Sequence, residues 1–279
     1  MAAETPALEL RVLGPFETAV DGRPVELGGL QPQGVLARLA VAPGRTVSVW
    51  ALVAELWGEH PPNDAHRTVR TYVSRLRAAL RRAAGSDAAA TLLVTRPPGY
   101  QLRVDPAGVD AERFEKAVAS ARQLLDGQPQ LAFDRLTAAL ELWHGDAFAG
   151  FGHLPAVAAR AVQLEQSRLS AVEARIEAAL VLGLEGQAAA ELEGLVRAHP
   201  TRELLWEQLM LALYRSGRQA DALSAFRTAR TVLMDRHGVE PSPALAEVQR
   251  RILRHDAALH PGPRSPFAEP ARGGPRAGR

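Results

Sequence analysis

The chain has 279 residues, of which 47% are hydrophobic and none is cysteine; this length suffices for about two domains with buried cores. The lack of cysteine excludes disulfide bonds, thiolate metal sites and cysteine nucleophiles. The sequence has no uncharged apolar run of about 18 residues and no basic, apolar leader at its start, so we expect a soluble, cytoplasmic protein with no membrane contact.

The formal net charge of +2 is unevenly distributed. Residues 1–104 hold 12 arginines and 9 acids, residues 105–259 hold 17 basic residues and 21 acids, and residues 260–279 hold 4 arginines and one glutamate. Arginine supplies every basic residue except Lys116. A basic first block followed by an acidic second block predicts that the first block binds a polyanion.

The first hundred residues predict a mixture of strands and helices. Apolar residues alternate between Leu8 and Leu27 with a hairpin turn at Asp21-Gly22, and helical spacing follows Pro32. A second helix begins at its N-cap Ser48 and ends at Gly58, and a third runs from Asn63 or Asp64 to about Ala84. Two strands follow at 92–95 and 100–104, joined by the turn Arg96-Pro97-Pro98-Gly99. Strands, three helices and a final hairpin are the order of a winged helix-turn-helix.

From Val109 onward the sequence is helical throughout, rich in alanine, leucine, glutamate and arginine. Gly183 and Gly217 lie 34 residues apart, and alanines follow each after five residues, at Ala188 and Ala222. With Gly127 as a third, more distant anchor, this spacing is typical of tetratricopeptide (TPR) repeats of paired antiparallel helices. The alternative is an alanine-rich helical bundle in which the small residues match by chance. Residues 260–279, rich in proline, glycine and arginine, are predicted to be a disordered tail.

The third helix carries the strongest functional signal. Six arginines and no acid occur between His66 and Arg82. Apolar residues recur every three or four positions along a stripe that we expect to be buried, and the polar, cationic face lies opposite. An ordinary solvated basic face is the alternative interpretation, but this helix stands where a winged helix places its recognition helix. Arg96, at the tip of the hairpin or wing, could reach a minor groove or a phosphate. The candidate DNA-binding residues are Arg67, Arg70, Thr71, Ser74, Arg75, Arg77, Arg81 and Arg96.

Enzyme motifs are missing from the sequence. It contains no phosphate loop, no dinucleotide-binding glycine pattern and no nucleophile elbow, and its eight histidines lack metal-ligand spacing. The sequence therefore predicts no catalytic residue, no cofactor site and no metal site.

Several ordered segments resemble the small form of the Streptomyces antibiotic regulatory protein (SARP) family, in which an OmpR-type winged helix is joined to a bacterial transcriptional activation domain. The resemblance covers roughly residues 8–256. In the first half its most specific segments are Leu13-Gly14-Pro15, Leu56-Trp57-Gly58, Pro61-Pro62, the segment 71–77 and Arg96-Pro97-Pro98-Gly99-Tyr100. In the second half they are Phe114, 136–143, 203–214, 222–230 and Gly238-Val239-Glu240-Pro241. The chain departs from the family at Leu30-Gln31-Pro32-Gln33, where two positive charges are missing, and at Trp50, where an acid is usual.

The resemblance implies a mainly α protein with a winged-helix domain at 1–104, a TPR-like activation domain at 109–259 and a tail at 260–279. It also implies a transcriptional activator that binds direct repeats in promoter DNA of antibiotic biosynthetic genes and recruits RNA polymerase and its sigma factor. Such a protein would be cytoplasmic and associated with the nucleoid, as a dimer or as side-by-side copies on DNA. The alternative function is an interaction scaffold that binds a peptide or a small effector and uses its winged helix for protein contacts.

Overall fold

A computed structural model describes residues 6–260 of the chain. Except for His260, the predicted tail lies outside the described residues. The chain divides into two compact units. The first runs to Asp126 and resumes over Leu131–Ala174, and the second combines Gly127–Gln130 with the chain from Arg175 onward.

The first unit begins with an antiparallel sheet in the order β1-β2-β3. Its strands are β1 (Leu8–Arg11), β2 (Glu17–Val20) and β3 (Arg23–Pro24). Asp21 and Gly22 both adopt positive φ in the tight turn between β2 and β3, as a two-residue hairpin requires. The predicted sheet is confirmed.

A three-helix cluster and a second sheet complete the winged helix. The helices are α1 (Leu30–Ala40), α2 (Val49–Trp57) and α3 (Ala65–Ala84), and the sheet joins β4 (Thr46–Ser48), β6 (Gly99–Leu102) and β5 (Leu93–Arg96) in the order β4-β6-β5. The Ser48 side chain accepts a hydrogen bond from the Ala51 N–H at 3.1 Å, so the predicted N-cap of α2 is confirmed. Gly85 ends α3 in the left-handed region at φ 63°, where glycine is the usual residue. Strand β4 was not predicted, because three residues are too few to show a period of two.

Three helices follow: α4 (Asp110–Arg122), α5 (Pro129–Leu140) and α6 (Pro155–Val181). Buried side chains of α4, of the loop after α5 and of early α6 belong to the same hydrophobic core as those of the winged helix, for example Leu10, Leu76, Phe114, Phe148 and Val157. Residues 1–104 therefore share one core with the helices that follow them. The predicted domains 1–104 and 109–259 divide the chain at a different place from the compact units, because periodicity shows which face of a helix is buried but not what covers it.

The second unit contains the end of α6 and four more helices, α7 (Glu185–Ala198), α8 (Glu203–Arg215), α9 (Gln219–His237) and α10 (Pro243–Leu253). Helix α8 packs against both α7 and α9. Gly183 and Gly217 adopt positive φ at equivalent turns, and the alanines that follow five residues later, Ala188 and Ala222, are both buried. Small residues at these positions allow neighbouring helices to approach closely. The TPR-like fold is confirmed.

Candidate nucleic-acid interface

Helix α3 has one buried face and one basic face. Val69, Val73, Leu76 and Leu80 are all buried in the core of the first unit, which confirms the predicted apolar stripe. Half-buried Tyr72 lies beside them and stacks on Trp57 of α2, with ring centroids 6.4 Å apart. The stripe and this ring contact fix which face of α3 turns outward.

The outward face of α3 is cationic and lacks acidic residues. Six of the predicted DNA-binding residues on this helix are exposed; they are Arg67, Arg70, Thr71, Ser74, Arg75 and Arg81. Within residues 6–260, the structure shows no ion pair for the four arginines in this set. Their charges are therefore not neutralised by neighbouring carboxylates. The first turn of α3 also lacks acidic residues, although Asp64 occupies the N-cap position just before it.

Arg77 differs from the other arginines of α3. It is half-buried, and its Nε donates a hydrogen bond to the Leu93 carbonyl at 2.8 Å. One terminal nitrogen, Nη2, donates to Thr95 Oγ1 at 2.9 Å. The guanidinium carbon also lies 5.7 Å from the centre of the Tyr100 ring, within the range of a cation–π contact. The sequence did not predict this engagement, because Arg77 and Arg81 occupy equivalent positions in the polar pattern.

Strands β5 and β6 form the wing, and Arg96 lies exposed at its tip. Arg96 pairs with Gly99 across the turn, whose Pro97–Pro98 peptide bond is cis. The inner strand β6 is pressed closely against β4, since a Cβ atom added at Gly99 would lie 1.8 Å from the Val47 carbonyl oxygen. Only glycine fits at this position. The wing is thus held by β4 on one side and by Arg77 on the other.

The two departures from the family pattern each include an exposed apolar side chain. Trp50 is 72% exposed, and its ring meets His66 edge-on with centroids 4.0 Å apart. Leu30, at the first position of α1, is 67% exposed. The Ser48 cap remains intact beside Trp50.

A buried carboxylate ties the winged helix to α4. Asp110 accepts hydrogen bonds from the backbone N–H groups of Val12 (2.9 and 3.0 Å), Leu13 (3.1 Å) and Ala111 (2.8 Å). Burial raises the pKa of Asp110, although the three N–H groups and Arg113 act in the opposite direction. An acid at the start of a helix is a common partner of the helix dipole, so nothing in the sequence indicated that this one is buried.

A second carboxylate links the helix-turn-helix to α6. Glu55 of α2 accepts a hydrogen bond from the Ala156 N–H at 2.7 Å, in the first turn of α6. The Arg38 side chain of α1 lies 3.5 Å from the same carboxylate. Together with Asp110, this contact joins the helices before and after residue 104 within one unit. No sequence signal pointed to this pairing, because the two partners are about one hundred residues apart.

Two kinds of feature were not found among the described residues. Between residues 6 and 260, no three histidine, aspartate or glutamate side chains are grouped so that they could hold a metal ion. No helix in that range combines the length and apolarity needed to cross a membrane.

Comparisons with known proteins identify the family. A model of the transcriptional regulatory protein C-terminal domain matches residues 23–102, and a model of the bacterial transcriptional activator domain matches residues 109–253. The chain is 37% identical over 266 residues to regulatory protein DnrI of Streptomyces peucetius, an alignment that covers 94% of this chain and 98% of DnrI. The chain belongs to the SARP family of transcriptional regulators.

This chain spans only part of the length of some other relatives. The chain is 40% identical over 258 residues to regulatory protein AfsR of Streptomyces coelicolor. This alignment covers 92% of the chain but only 25% of AfsR. The chain's fold matches the structure of Mycobacterium tuberculosis EmbR in complex with a low-affinity phosphopeptide, with a TM-score of 0.85, 37% identity, and coverage of 90% of this chain and 66% of EmbR. These relatives are named as regulatory proteins and not as enzymes.

Proposed function

We propose that this chain is a sequence-specific DNA-binding transcriptional activator that binds direct repeats in promoters and recruits RNA polymerase. The observation that carries the proposal is the acid-free basic face of α3, whose arginines have no ion-pair partners in the described structure. A scaffold that bound only peptides would gain nothing from a cationic face on the recognition helix. Membership of the SARP family supports antibiotic biosynthetic genes as the targets.

In this proposal α3 enters the major groove. Arg67 and Arg81 are 14 residues apart, which is about 21 Å of helix at 1.5 Å per residue, and the major groove is about 12 Å wide and admits a helix. Arginines near both ends can therefore reach phosphates on either side of the groove while central side chains face the bases.

Thr71 and Ser74 are the proposed base readers. The Thr71 hydroxyl donates its proton to the Arg67 carbonyl at 3.1 Å, so its oxygen keeps the capacity to accept a hydrogen bond. The exposed side chain also carries a methyl group. An acceptor and a methyl suit an exocyclic amino group or a thymine methyl in the major groove. Ser74 is exposed one turn further along the same face. Arg70 and Arg75 flank these two residues and are assigned to phosphates.

Arg96 is proposed to enter the adjacent minor groove. Its guanidinium projects from a short two-stranded hairpin and is exposed. Narrow A·T-rich minor grooves concentrate negative potential and attract arginine. Two or more copies of the chain on tandem sites would then lie on one side of the duplex, if the repeats are spaced by about one helical turn or a multiple of it.

The second unit is proposed to contact RNA polymerase or its sigma factor. Val181, Leu204 and Val248 line a cavity of about 310 Å³ together with Glu177 and Glu207, and Val181 and Leu204 are 51% and 42% exposed. Burial, and to a lesser extent the neighbouring Glu203, raises the pKa of Glu207. An apolar groove with an acidic rim suits a protein partner that carries apolar and basic side chains.

An activator at a promoter would work in the cytoplasm, at the nucleoid.

The DNA-binding proposal is tested by selection of sites from random duplexes, followed by affinity measurements at several salt concentrations. We expect a steep salt dependence, with each phosphate contact contributing about −0.9 to the slope of log K against log salt. Arg67→Ala should weaken binding to selected and random DNA alike and reduce the slope by about 0.9. Arg227→Ala, which removes an exposed arginine of α9, is the matched control and should change neither quantity. A slope near zero for the unmodified chain would refute DNA binding and favour the scaffold alternative.

Recruitment is tested separately, by transcription from a promoter carrying the selected repeats with purified polymerase. Leu204→Ser should leave DNA affinity unchanged and lower transcript yield. Met234→Ser is the matched control, because Met234 is equally exposed at 42% but does not line the cavity. Equal yields from both variants and the unmodified chain would show that this groove has another partner.

A further inference from the structure

One guanidinium connects the recognition helix to both strands of the wing. Arg77 donates to a backbone carbonyl and to a side-chain hydroxyl of β5, at Leu93 and Thr95, and its guanidinium lies over the Tyr100 ring of β6. In the described structure no other arginine of α3 has hydrogen bonds to the wing. The contact is local and directional, which distinguishes it from a charge that is merely exposed on a basic face.

The three contacts require the geometry of arginine. The Nε–H and Nη–H groups of a guanidinium lie in one plane at fixed angles, so both acceptors can be reached by one rigid fork. A lysine ammonium carries the same charge but is a single point on a flexible stem. Strand β5 is also the edge strand of its sheet, and an edge strand has carbonyl groups without ladder partners. Arg77 supplies one such carbonyl with a donor.

The residue held by Arg77 directly precedes the tip of the wing. Thr95 is followed by Arg96, and the two pair with Tyr100 and Gly99 across the hairpin. Fixing the Thr95 side chain relative to α3 therefore fixes the backbone from which Arg96 projects. On the far side, Gly99 lies too close to β4 to admit a Cβ atom. The hairpin is therefore contacted by β4 on one side and by Arg77 on the other.

We propose that Arg77 is a positioning residue, which sets the tilt of the wing relative to α3 and so places Arg96 in the minor groove, and that it does not bind DNA phosphate itself. The inference rests on the proposed DNA-binding function. It assigns Arg77 a different role from Arg67, Arg70, Arg75 and Arg81. It also explains why this one arginine of the basic face is half-buried.

The substitution that separates the two roles is Arg77→Lys, which keeps the charge and loses the fork. The probes are the duplex selected by the unmodified chain and a second duplex in which the segment under the wing is changed from A·T-rich to G·C-rich. The measured quantity is the ratio of the two affinities at one salt concentration. We expect Arg96→Ala to reduce this ratio to about one, because the narrow-groove contact is lost.

We expect Arg77→Lys to reduce the ratio nearly as far as Arg96→Ala does, while the salt slope stays close to that of the unmodified chain because the charge is retained. Arg75→Lys is the matched control, from an exposed position two residues away, and should keep the ratio. Adding Arg96→Ala to Arg77→Lys should cause little further loss of the ratio, since both act through the same contact. Thr95→Val, which removes only the hydroxyl acceptor, should give a partial loss.

Amide hydrogen exchange in the absence of DNA provides a second readout. Exchange across residues 93–102 should be faster in Arg77→Lys and Thr95→Val than in the unmodified chain, with core amides of α3 unchanged. If Arg77→Lys fails to fold, Thr95→Val alone decides the question.

Two results would overturn the inference while leaving the proposed function in place. One is an unchanged affinity ratio in both Arg77→Lys and Thr95→Val. The other is that Arg77→Lys and Arg96→Ala have fully additive effects on the logarithm of the affinity ratio. An unmodified chain that selects no sequence would instead overturn the proposed function, and this inference with it.

Discussion

Replacing Asp110 with alanine should destabilise the first unit much more than an ordinary helix-cap substitution. The carboxylate accepts the N–H groups of Val12 and Leu13, and both residues are only 1% exposed. Water cannot easily replace the lost acceptor, and each buried N–H left without a partner costs about 1–3 kcal/mol. Two such groups give about 2–6 kcal/mol, and removing a carboxylate whose burial is unfavourable offsets part of this. We expect a net loss of about 2–4 kcal/mol, a large share of a typical domain stability of about 5–15 kcal/mol.

The assay is urea unfolding of the full chain, followed by far-UV circular dichroism and by tryptophan fluorescence. Two units need not unfold together, so a two-state fit applies only if the two signals coincide. Asp105→Ala is the matched control, because Asp105 also accepts a backbone N–H, that of Ala107 at 2.8 Å, but is exposed. Asp105→Ala should lower the free energy of unfolding much less than Asp110→Ala does. Equal losses for the two variants would refute the argument that burial of the acceptor sets the cost.

The raised pKa of Asp110 also gives the sign of a pH dependence. Because burial raises the pKa above its ordinary value of 3.8, the folded chain takes up this proton at a higher pH than the unfolded chain. The contribution of this group to stability is therefore fully present below the unfolded pKa and is lost as the pH rises through the folded one. The stability of the unmodified chain relative to Asp110→Asn should fall as the pH increases above about 4. If the stability of the unmodified chain relative to Asp110→Asn instead rose with pH above about 4, the raised pKa of Asp110 would be contradicted.

Three further predictions concern the wing, the recognition helix and the helical repeat. Gly99→Ala should displace the wing, because its Cβ would lie 1.8 Å from the Val47 carbonyl oxygen; faster amide exchange in β6 and weaker DNA binding would show this, and unchanged values of both would refute it. Arg96→Ala should weaken binding mainly at sites with A·T-rich DNA under the wing, whereas Ser74→Ala should alter base preference in the major groove; identical selected motifs for both would contradict the placement of these residues. Ala222→Glu should unfold the second unit, because Ala222 is fully buried and an unpaired buried charge costs several kcal/mol; an unchanged melting temperature would refute the repeat register.

The features that could be predicted from the sequence depend on local periodicity. The stripe of Val69, Val73, Leu76 and Leu80 follows from a period of 3.6, and the side opposite to it is exposed as expected. The spacing of Gly183 and Gly217 likewise identified equivalent turns of the repeat. In each case the signal lies within a few tens of residues, where helix geometry alone relates sequence to position.

The features that escaped prediction depend on tertiary contacts. Arg77 has the same place in the polar pattern as Arg81, and only the position of β5 beside it decides that its guanidinium is engaged. Asp110 and Glu55 are acids within or at the start of helices, and their partners lie 98 and 101 residues away. Periodicity carries no information about contacts at such separations.

The shared core of the first unit has a consequence for how the two family domains can be separated. A cut after residue 104 would remove Asp110 from Val12 and Leu13, and Ala156 from Glu55. It would also expose core side chains that pack with Phe114, which is fully buried. A winged helix isolated in this way would lose stability for reasons unrelated to DNA contacts, so its weak binding would not show that the activation domain contributes to DNA recognition. Full-chain variants such as Leu204→Ser avoid this ambiguity, because they alter the proposed polymerase surface of the second unit and leave the core beneath the recognition helix intact.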